Sequence, residues 1–342
     1  MEEWIQLAIV KAKRAIWTWI AERSYPMPSP APATTLGRCQ IGPVLSGGEF
    51  TPGGSYPEHY GYPTQKSIDY YASKGMKVCR IPFLWERVQP DRLGRLDPTE
   101  MSRLAASVLY AQAKGMRVGL DVHNGGYGYG ELIGSPGAQN YLFADLWRRL
   151  AAYFLSYPGV MFMLMSEPYD QSASRWLSSS NAAIKAIRSV GATQTIVVPA
   201  PYYSKSMLWS ISDTARVMEG VADPFNNYLF EVHNYMDSDA SGGSSDVVDS
   251  NVGAERLVDV TTWARAHNKK LFLGEFAVAT DDASLLGLAN MMAFIQRNAD
   301  VWSYATWWGA GDRWQNYMFQ LDPADYSNPV DRPQMAVLLK YM

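Results

Sequence analysis

The chain has 342 residues, and a barrel or large α/β domain of about 250–300 residues with a short appendage fits that length best. Hydrophobic residues make up 47% and charged residues 18%, which supports a sizeable core and excludes disorder for the bulk of the chain. Lys and Arg total 30 against 33 Asp and Glu, a formal charge of −3, so no basic excess exists to neutralise a phosphate backbone and nucleic acid is not an expected partner. Two cysteines exclude a disulfide scaffold and a Cys-rich zinc site, and four histidines leave little for metal clusters. No run of about 18 uncharged apolar residues occurs, so no membrane-spanning helix is expected. The 12 Trp and 21 Tyr fill a core by default. A surplus of flat rings also suits a cleft that stacks on the apolar faces of sugars.

In chain order, Ile5, Ile9, Ala12, Ile16 and Ile20 recur at helical spacing, which predicts an amphipathic helix within residues 1–23. Glu2 and Glu3 precede the basic cluster Lys11, Lys13 and Arg14, and the apolar stretch after it is short and carries Thr18, so the segment does not read as an ordinary signal peptide. Its stripe calls for a surface to cover it: the folded domain, another subunit or a membrane surface. Pro26, Pro28, Pro30 and Pro32 make residues 24–35 a semi-extended linker. The folded domain is placed at residues 36–342.

From there strands and helices alternate. Short β-branched apolar runs predict strands near 39–46, 77–83, 116–122, 159–165, 194–199, 228–233, 270–275 and 301–308. Helical patterns fall at 64–74, 100–114, 140–155, 174–189, 251–267, 283–298 and 333–341, with a weak fifth connection at 202–213. Gly75 and Gly115 stand where helices hand over to strands. Eight strands with intervening helices predict a (β/α)8 barrel. An open doubly wound sheet is the alternative; it is disfavoured because no GxGxxG follows the first strand and no GxxxxGK occurs. The Gly-rich run Gly125 to Gly130 follows the third strand and reads as an aromatic loop beside the site. Cys39 and Cys79 fall on neighbouring strands and read as buried thiols, a disulfide between them being the less usual outcome.

In such a barrel the chemistry sits at the C-terminal strand ends. Those ends carry Arg80, then His123-Asn124, Ser166-Glu167-Pro168, His233-Asn234-Tyr235, Glu275 and finally Trp307-Trp308. Buried polar residues are costly unless paired or used. Any one of these has an ordinary structural reading, but six at one face argue for a site. Glu167 and Glu275, on the fourth and seventh strands, would face each other across the mouth. Paired carboxylates in an aromatic cleft are the minimum equipment for cleaving glycosidic bonds, one acid protonated and the other ionised. Arg80 beside one of them would keep it charged. No GxSxG elbow is present, which counts against an esterase. No metal or cofactor is called for, since only His123 and His233 stand at strand ends.

At these positions the chain, from about Gly42 to Pro323, resembles glycoside hydrolase family 5, in particular its endo-β-1,4-glucanases. The resemblance is carried by Gly47-Gly48-Glu49-Phe50, Arg80-Ile81-Pro82-Phe83, Trp85-Glu86-Arg87, Asp121-Val122-His123-Asn124, Glu231 to Tyr235, Gly274-Glu275 and Trp307 to Gly311. It implies a retaining double displacement on a β-linked oligo- or polysaccharide, without a cofactor. Glu167 would be the general acid/base and Glu275 the nucleophile. Arg80 and Tyr235 would orient the nucleophile, and His123 and Asn124 would bind the sugar. His233 would lie near the acid/base. Trp308 would form the floor, through a cis peptide, and Trp314 and Trp209 would be candidates for neighbouring subsites. Polymeric substrate implies a secreted or periplasmic protein. Two departures stand out. Ser166 occupies the place of the family's Asn, which contacts the sugar's 2-hydroxyl. Pro199-Ala200-Pro201-Tyr202-Tyr203 stands where the family usually carries Pro-Gly-Asn and an aromatic residue after the fifth strand. Both put the identity of the glycan in question: another or decorated β-polysaccharide, or a weakened enzyme that mainly binds glycan, are the alternatives.

Overall fold

The computed structural model describes residues 37–342, so the helix expected in 1–23 and the linker at 24–35 lie outside the described residues. Eight parallel strands close into a barrel in sequence order: β1 (Gln40–Leu45), β2 (Val78–Phe83), β3 (Arg117–Val122), β4 (Val160–Met163), β5 (Ile196–Pro199), β6 (Tyr228–His233), β7 (Leu271–Phe276) and β8 (Trp302–Ala310). Closure is made by β8 pairing with β1, in register from Gln40 opposite Tyr304. The connections carry α1 (Gln65–Ser73), α2 (Pro98–Ala113), α3 (Asn140–Tyr153), α4 (Ala173–Ser189), the short α5 (Thr214–Met218), α6 (Val258–Ala266), α7 (Asp282–Arg297) and the closing α8 (Pro333–Leu338). The eight-stranded barrel inferred from alternation is therefore the fold. The weak fifth connection is a 3₁₀ turn at Ser206–Leu208 and the five residues of α5.

Local chemistry explains the helix ends. Asp97 caps α2, its carboxylate accepting from the backbone of Thr99 and Glu100 at 2.9 and 2.8 Å, with Pro98 in the first turn. Thr64, Ser172 and Asp281 cap α1, α4 and α7 in the same way. Gly75 and Gly115 take φ of +86° and +80°, which lets the chain leave the helix and enter the next strand.

The two-residue period of each strand divides its side chains between two cores. Outward residues pack on the helices. Inward, Val78, Met161, Met163, Val197, Leu229 and Phe272 form an apolar layer inside the barrel. Two residues further along the same strands the inward positions become Arg80 and Glu231, so an apolar plug gives way to a charged layer towards the C-terminal end. Gly274 supports that layer by being small: a Cβ there would lie 2.0 Å from Glu231 Oε1. Irregular register between Val232 and His233 and between Ala305 and Trp307 breaks the strict alternation at this end of β6, β7 and β8.

Most of the tryptophan surplus is core. Trp85, Trp147, Trp176, Trp209, Trp302 and Trp307 are fully buried, and the indole N–H groups of Trp147, Trp176 and Trp302 donate to Leu164 O, Pro199 O and Thr261 Oγ1. Trp209 packs against Phe230 and Trp263 behind the barrel wall, which removes it from the candidate subsites. Cys39 and Cys79 are buried free thiols, and burial pushes both thiols up.

Candidate active site

Arg80 is the centre of the charged layer. It is completely buried, and its Nε donates to Asp121 Oδ2 at 2.8 Å and its Nη1 to Gly274 O at 3.0 Å. Nη1 also lies 3.0 Å from Glu231 Oε1 and 3.3 Å from Glu275 Oε1. Burial opposes its charge, but the three carboxylates override that and raise its pKa. Asp121 is pushed up by burial and brought below its ordinary value by Arg80 and His123.

Each histidine stands two residues after an acid, His233 at the end of β6 and His123 just past the end of β3, so acid and imidazole meet. His123 Nδ1 is 2.9 Å from Asp121 Oδ2, and His233 Nε2 is 3.0 Å from Glu231 Oε1. The other nitrogen of His233 reaches Glu167 Oε1 at 2.7 Å and lies 3.5 Å from Glu275 Oε2. Burial opposes charge on His233, but the surrounding carboxylates, led by Glu275, raise it to about 10.

Glu167 and Glu275 do face each other: an oxygen of each, together with a ring nitrogen of His233, lie within 4.8 Å of one another. Glu167 has φ of +45°, a conformation that a non-glycine residue adopts at a cost. Glu275 is 4% exposed, and Tyr235 donates its hydroxyl to Oε2 at 2.9 Å. Burial pushes the Glu275 carboxyl above its ordinary value, against the pull of His233 and Arg80. Burial also pushes Glu167 up, but the hydrogen bond from His233 and its charge reverse this and leave it below the ordinary value. These three residues are the one trio among the described residues whose donor atoms converge as a cation's ligands would. Here Arg80 and the imidazolium of His233 already supply that positive charge.

A cavity of about 340 Å³ opens beside this pair, lined by His123, Asn124, Ser166, Glu167 and Tyr169 among others. Ser166 donates its backbone N–H to Val122 O at 2.8 Å, while its buried hydroxyl has no partner among the described residues. Asn124 is already engaged by the protein: its Nδ2 donates to Glu86 Oε2 at 2.8 Å and its Oδ1 accepts from Trp85 N at 2.9 Å. Trp308 stacks on the ring of His123 at 5.3 Å and 9°. The chain reaches it without the expected cis peptide; the one cis bond among the described residues is at Tyr56–Pro57. Trp314 meets Trp308 edge-on and lies flat on Tyr317 at 4.2 Å. Every candidate from the sequence thus falls at one end of the barrel except Trp209. The residues missed were Asp121 and Glu231, and the acid-x-His spacing on two inward-facing strands was the signal for both. Glu86 was missed with no local signal, since it holds Asn124 from the short helix Trp85–Val88 after β2.

An opposed carboxylate pair held by an arginine, an imidazole and a phenol, over an aromatic floor, is the equipment of a glycoside hydrolase. The family described as cellulase, glycosyl hydrolase family 5, matches residues 45–311, and the chain belongs to it. Endo-β-1,4-glucanase B of Aspergillus niger is 33% identical over 283 residues, covering 82% of this chain and 84% of that protein. The structure of XacCel5A in complex with cellopentaose superposes with a TM-score of 0.86 at 38% identity, covering 89% of this chain and 99% of that one. The endo-β-1,4-glucanase Xac0029 of Xanthomonas axonopodis pv. citri gives 0.85 at 38% identity, over 89% and 98% of the two chains.

The site's charges carry a pH signature. Were Glu275 the nucleophile it would have to be ionised to attack, and its carboxyl is raised above its ordinary value of 4.5, so activity would be lost as pH falls through a value higher than a free glutamate's. The proton on His233 is lost only towards pH 10, which would set the alkaline limb. Tyr235→Phe removes a donor that favours the Glu275 anion, so the acid limb of kcat/KM should move to higher pH while the alkaline limb stays. A pH–rate profile of the two enzymes measures this, and a downward move would assign the limb to another group.

Proposed function

We propose that the protein is a retaining endo-β-1,4-glucanase. The observation that carries the reading is the approach of the Glu167 and Glu275 oxygens to within 4.8 Å. Retaining enzymes hold their carboxyl groups about 5–5.5 Å apart, and inverting ones about 6.5–9.5 Å apart to admit a water. Family membership and the glucanase relatives support β-1,4-glucan as substrate. A polymer of that kind is met outside the cytoplasm, which supports a secreted or periplasmic protein. No helix among the described residues is long and apolar enough to cross a membrane.

In the first step Glu275 attacks the anomeric carbon, the glycosidic C–O bond breaks, and Glu167 gives a proton to the departing oxygen. In the second, Glu167 takes a proton from water as the water oxygen attacks that carbon and releases Glu275. The acid's proton is stored in the 2.7 Å bond between His233 Nδ1 and Glu167 Oε1. At rest it lies on His233, whose affinity for it is raised. As negative charge develops on the leaving oxygen, the proton passes through Glu167, and Glu231 and Arg80 hold the ring in place behind it. Arg80 and Tyr235 position Glu275, His123 and Trp308 shape the floor with Trp314 beside them, and Asn124, tied to Glu86, positions the wall.

Two substitutions test this reading. Glu275→Gln should abolish turnover of cello-oligosaccharides. Glu167→Gln should also cripple it but spare part of the first step on aryl cellobiosides with very good leaving groups, which need little protonation. Full activity of Glu167→Gln on cellopentaose would put the acid elsewhere.

Ser166 bears on the substrate. Its hydroxyl is buried and unpartnered where the family carries a longer amide, so a 2-hydroxyl contact is missing on plain glucan. Ser166→Asn should raise kcat on cellopentaose, about tenfold for each 1.4 kcal/mol regained in the transition state. A second reading, a glucan substituted near that hydroxyl, rests on the same shortened side chain, and there the change would lower activity through a clash.

Residues 1–35 are proposed to be dispensable for the chemistry, because all the candidate residues lie between Arg80 and Trp314. A chain lacking 1–35 should keep its kcat on cellopentaose, and loss of kcat would make that segment part of the site.

A further inference from the structure

The loop after β6 takes no part in the chemistry above, yet it lies against a residue that does. Tyr235 is 4% exposed and donates its hydroxyl to Glu275 Oε2 at 2.9 Å. Two neighbours fix its ring. Phe319 lies nearly parallel to it, with centroids 6.3 Å apart and planes at 22°. The second neighbour is the backbone of Gly242, so close that a Cβ there would lie 2.7 Å from Tyr235 Cδ1 and Cε1. Gly242 has φ of +72°, a conformation that glycine adopts at little cost.

Asp237 holds Gly242 in that place. Its carboxylate is buried, and it accepts from Gly242 N at Oδ1 and from Gly243 N at Oδ2, both at 3.2 Å, and from Ser241 Oγ at 3.1 Å. A buried carboxylate is costly unless paired, and here three residues in succession satisfy it. Close by is Arg256, also buried, which donates from Nη1 to Tyr235 O. Burial lowers the pKa of Arg256, and Asp237 is the first of the charges that oppose this. The guanidinium thus ties the backbone of Tyr235, and the carboxylate ties the segment that touches its ring.

We propose that Asp237 is a positioning residue: through Gly242 it keeps the Tyr235 phenol directed at Glu275. The inference deepens the glucanase reading above, in which Glu275 attacks. A hydrogen bond to a carboxylate weakens steeply with distance and misalignment. A donor aimed in advance at a charge is worth more than one that must reorganise to reach it. The hydroxyl is the outermost atom of the side chain, so any tilt of the ring moves it furthest. The charged groups that act on Glu275 are His233, Arg80, Glu167 and His123. Among the described residues none of these hydrogen-bonds to 237–243, so the loop reaches Glu275 through Tyr235.

Asp237→Asn keeps the shape and removes an acceptor. It should lower kcat/KM on cellopentaose about tenfold, the scale of one hydrogen bond to a charged group. The acid limb of the pH–rate profile should move to higher pH, as expected for Tyr235→Phe, with the alkaline limb in place. In a Tyr235→Phe background the same change should cost less than about twofold, because the hydroxyl it positions is gone. Gly242→Ala presses a methyl group onto the ring and leaves the charges of Asp237 and Arg256 alone. It should give the same two readings, and it carries the test where Asp237→Asn does not fold. An equal loss with and without the Tyr235 hydroxyl, an acid limb that stays in place, or no loss at all overturns the positioning role. A wild-type enzyme that leaves cellopentaose intact overturns the glucan reading instead, so the two failures are told apart.

Discussion

One buried guanidinium holds the site together. Arg80 has no contact with solvent, and its charge is met by Asp121, Glu231 and Glu275 on three other strands. Taking a lone cation out of water costs several kcal/mol, and stripping one partner from a buried ion pair typically costs about 3–5 kcal/mol. The strand ends are therefore locked to one another by charge at the level where apolar packing stops. That lock fixes where Glu275 sits, and through Glu231 it also fixes the ring of His233 that reaches Glu167. The two carboxylates are held in register by opposite ends of one network rather than by two separate pockets.

The same network sets unequal environments for two like acids. Glu275 is deep, with Arg80 and Tyr235 directed at its oxygens. Glu167 is more open, on a strained backbone, and faces an imidazole whose proton affinity is raised. A glycosidase needs this division between attacker and proton donor. The asymmetry comes from depth and from which nitrogen of His233 faces which acid, not from any difference between the glutamates themselves.

The departures from the family pattern both fall on the lining of the cleft. Ser166 lines the cavity beside Glu167, and Tyr202 and Tyr203 border an open groove next to it. The charged layer beneath them is intact. In the proposed reading the reaction type depends on that layer and substrate choice on the surfaces above it, so the two can vary independently.

Much of this was legible in the chain. The alternation of short β-branched runs with amphipathic stretches, punctuated by Gly75 and Gly115, determined the barrel, because period and capping are local properties of neighbouring residues. Polar residues at successive strand ends marked the site, because a buried charge must be used or paired wherever the strand places it. What only the tertiary structure decided is who pairs with whom. Trp209 and Trp308 are the same residue type, yet one lies behind the wall and the other in the mouth, since Trp209 follows the 3₁₀ turn of the fifth connection while Trp308 stands on β8. Glu86 holds Asn124 across 38 positions, and the ring of Tyr203 meets that of Tyr169 only when the loops after β4 and β5 are brought together. Contacts of that kind depend on closure of the sheet, which brings distant segments side by side and leaves no periodic trace in the residues that make them.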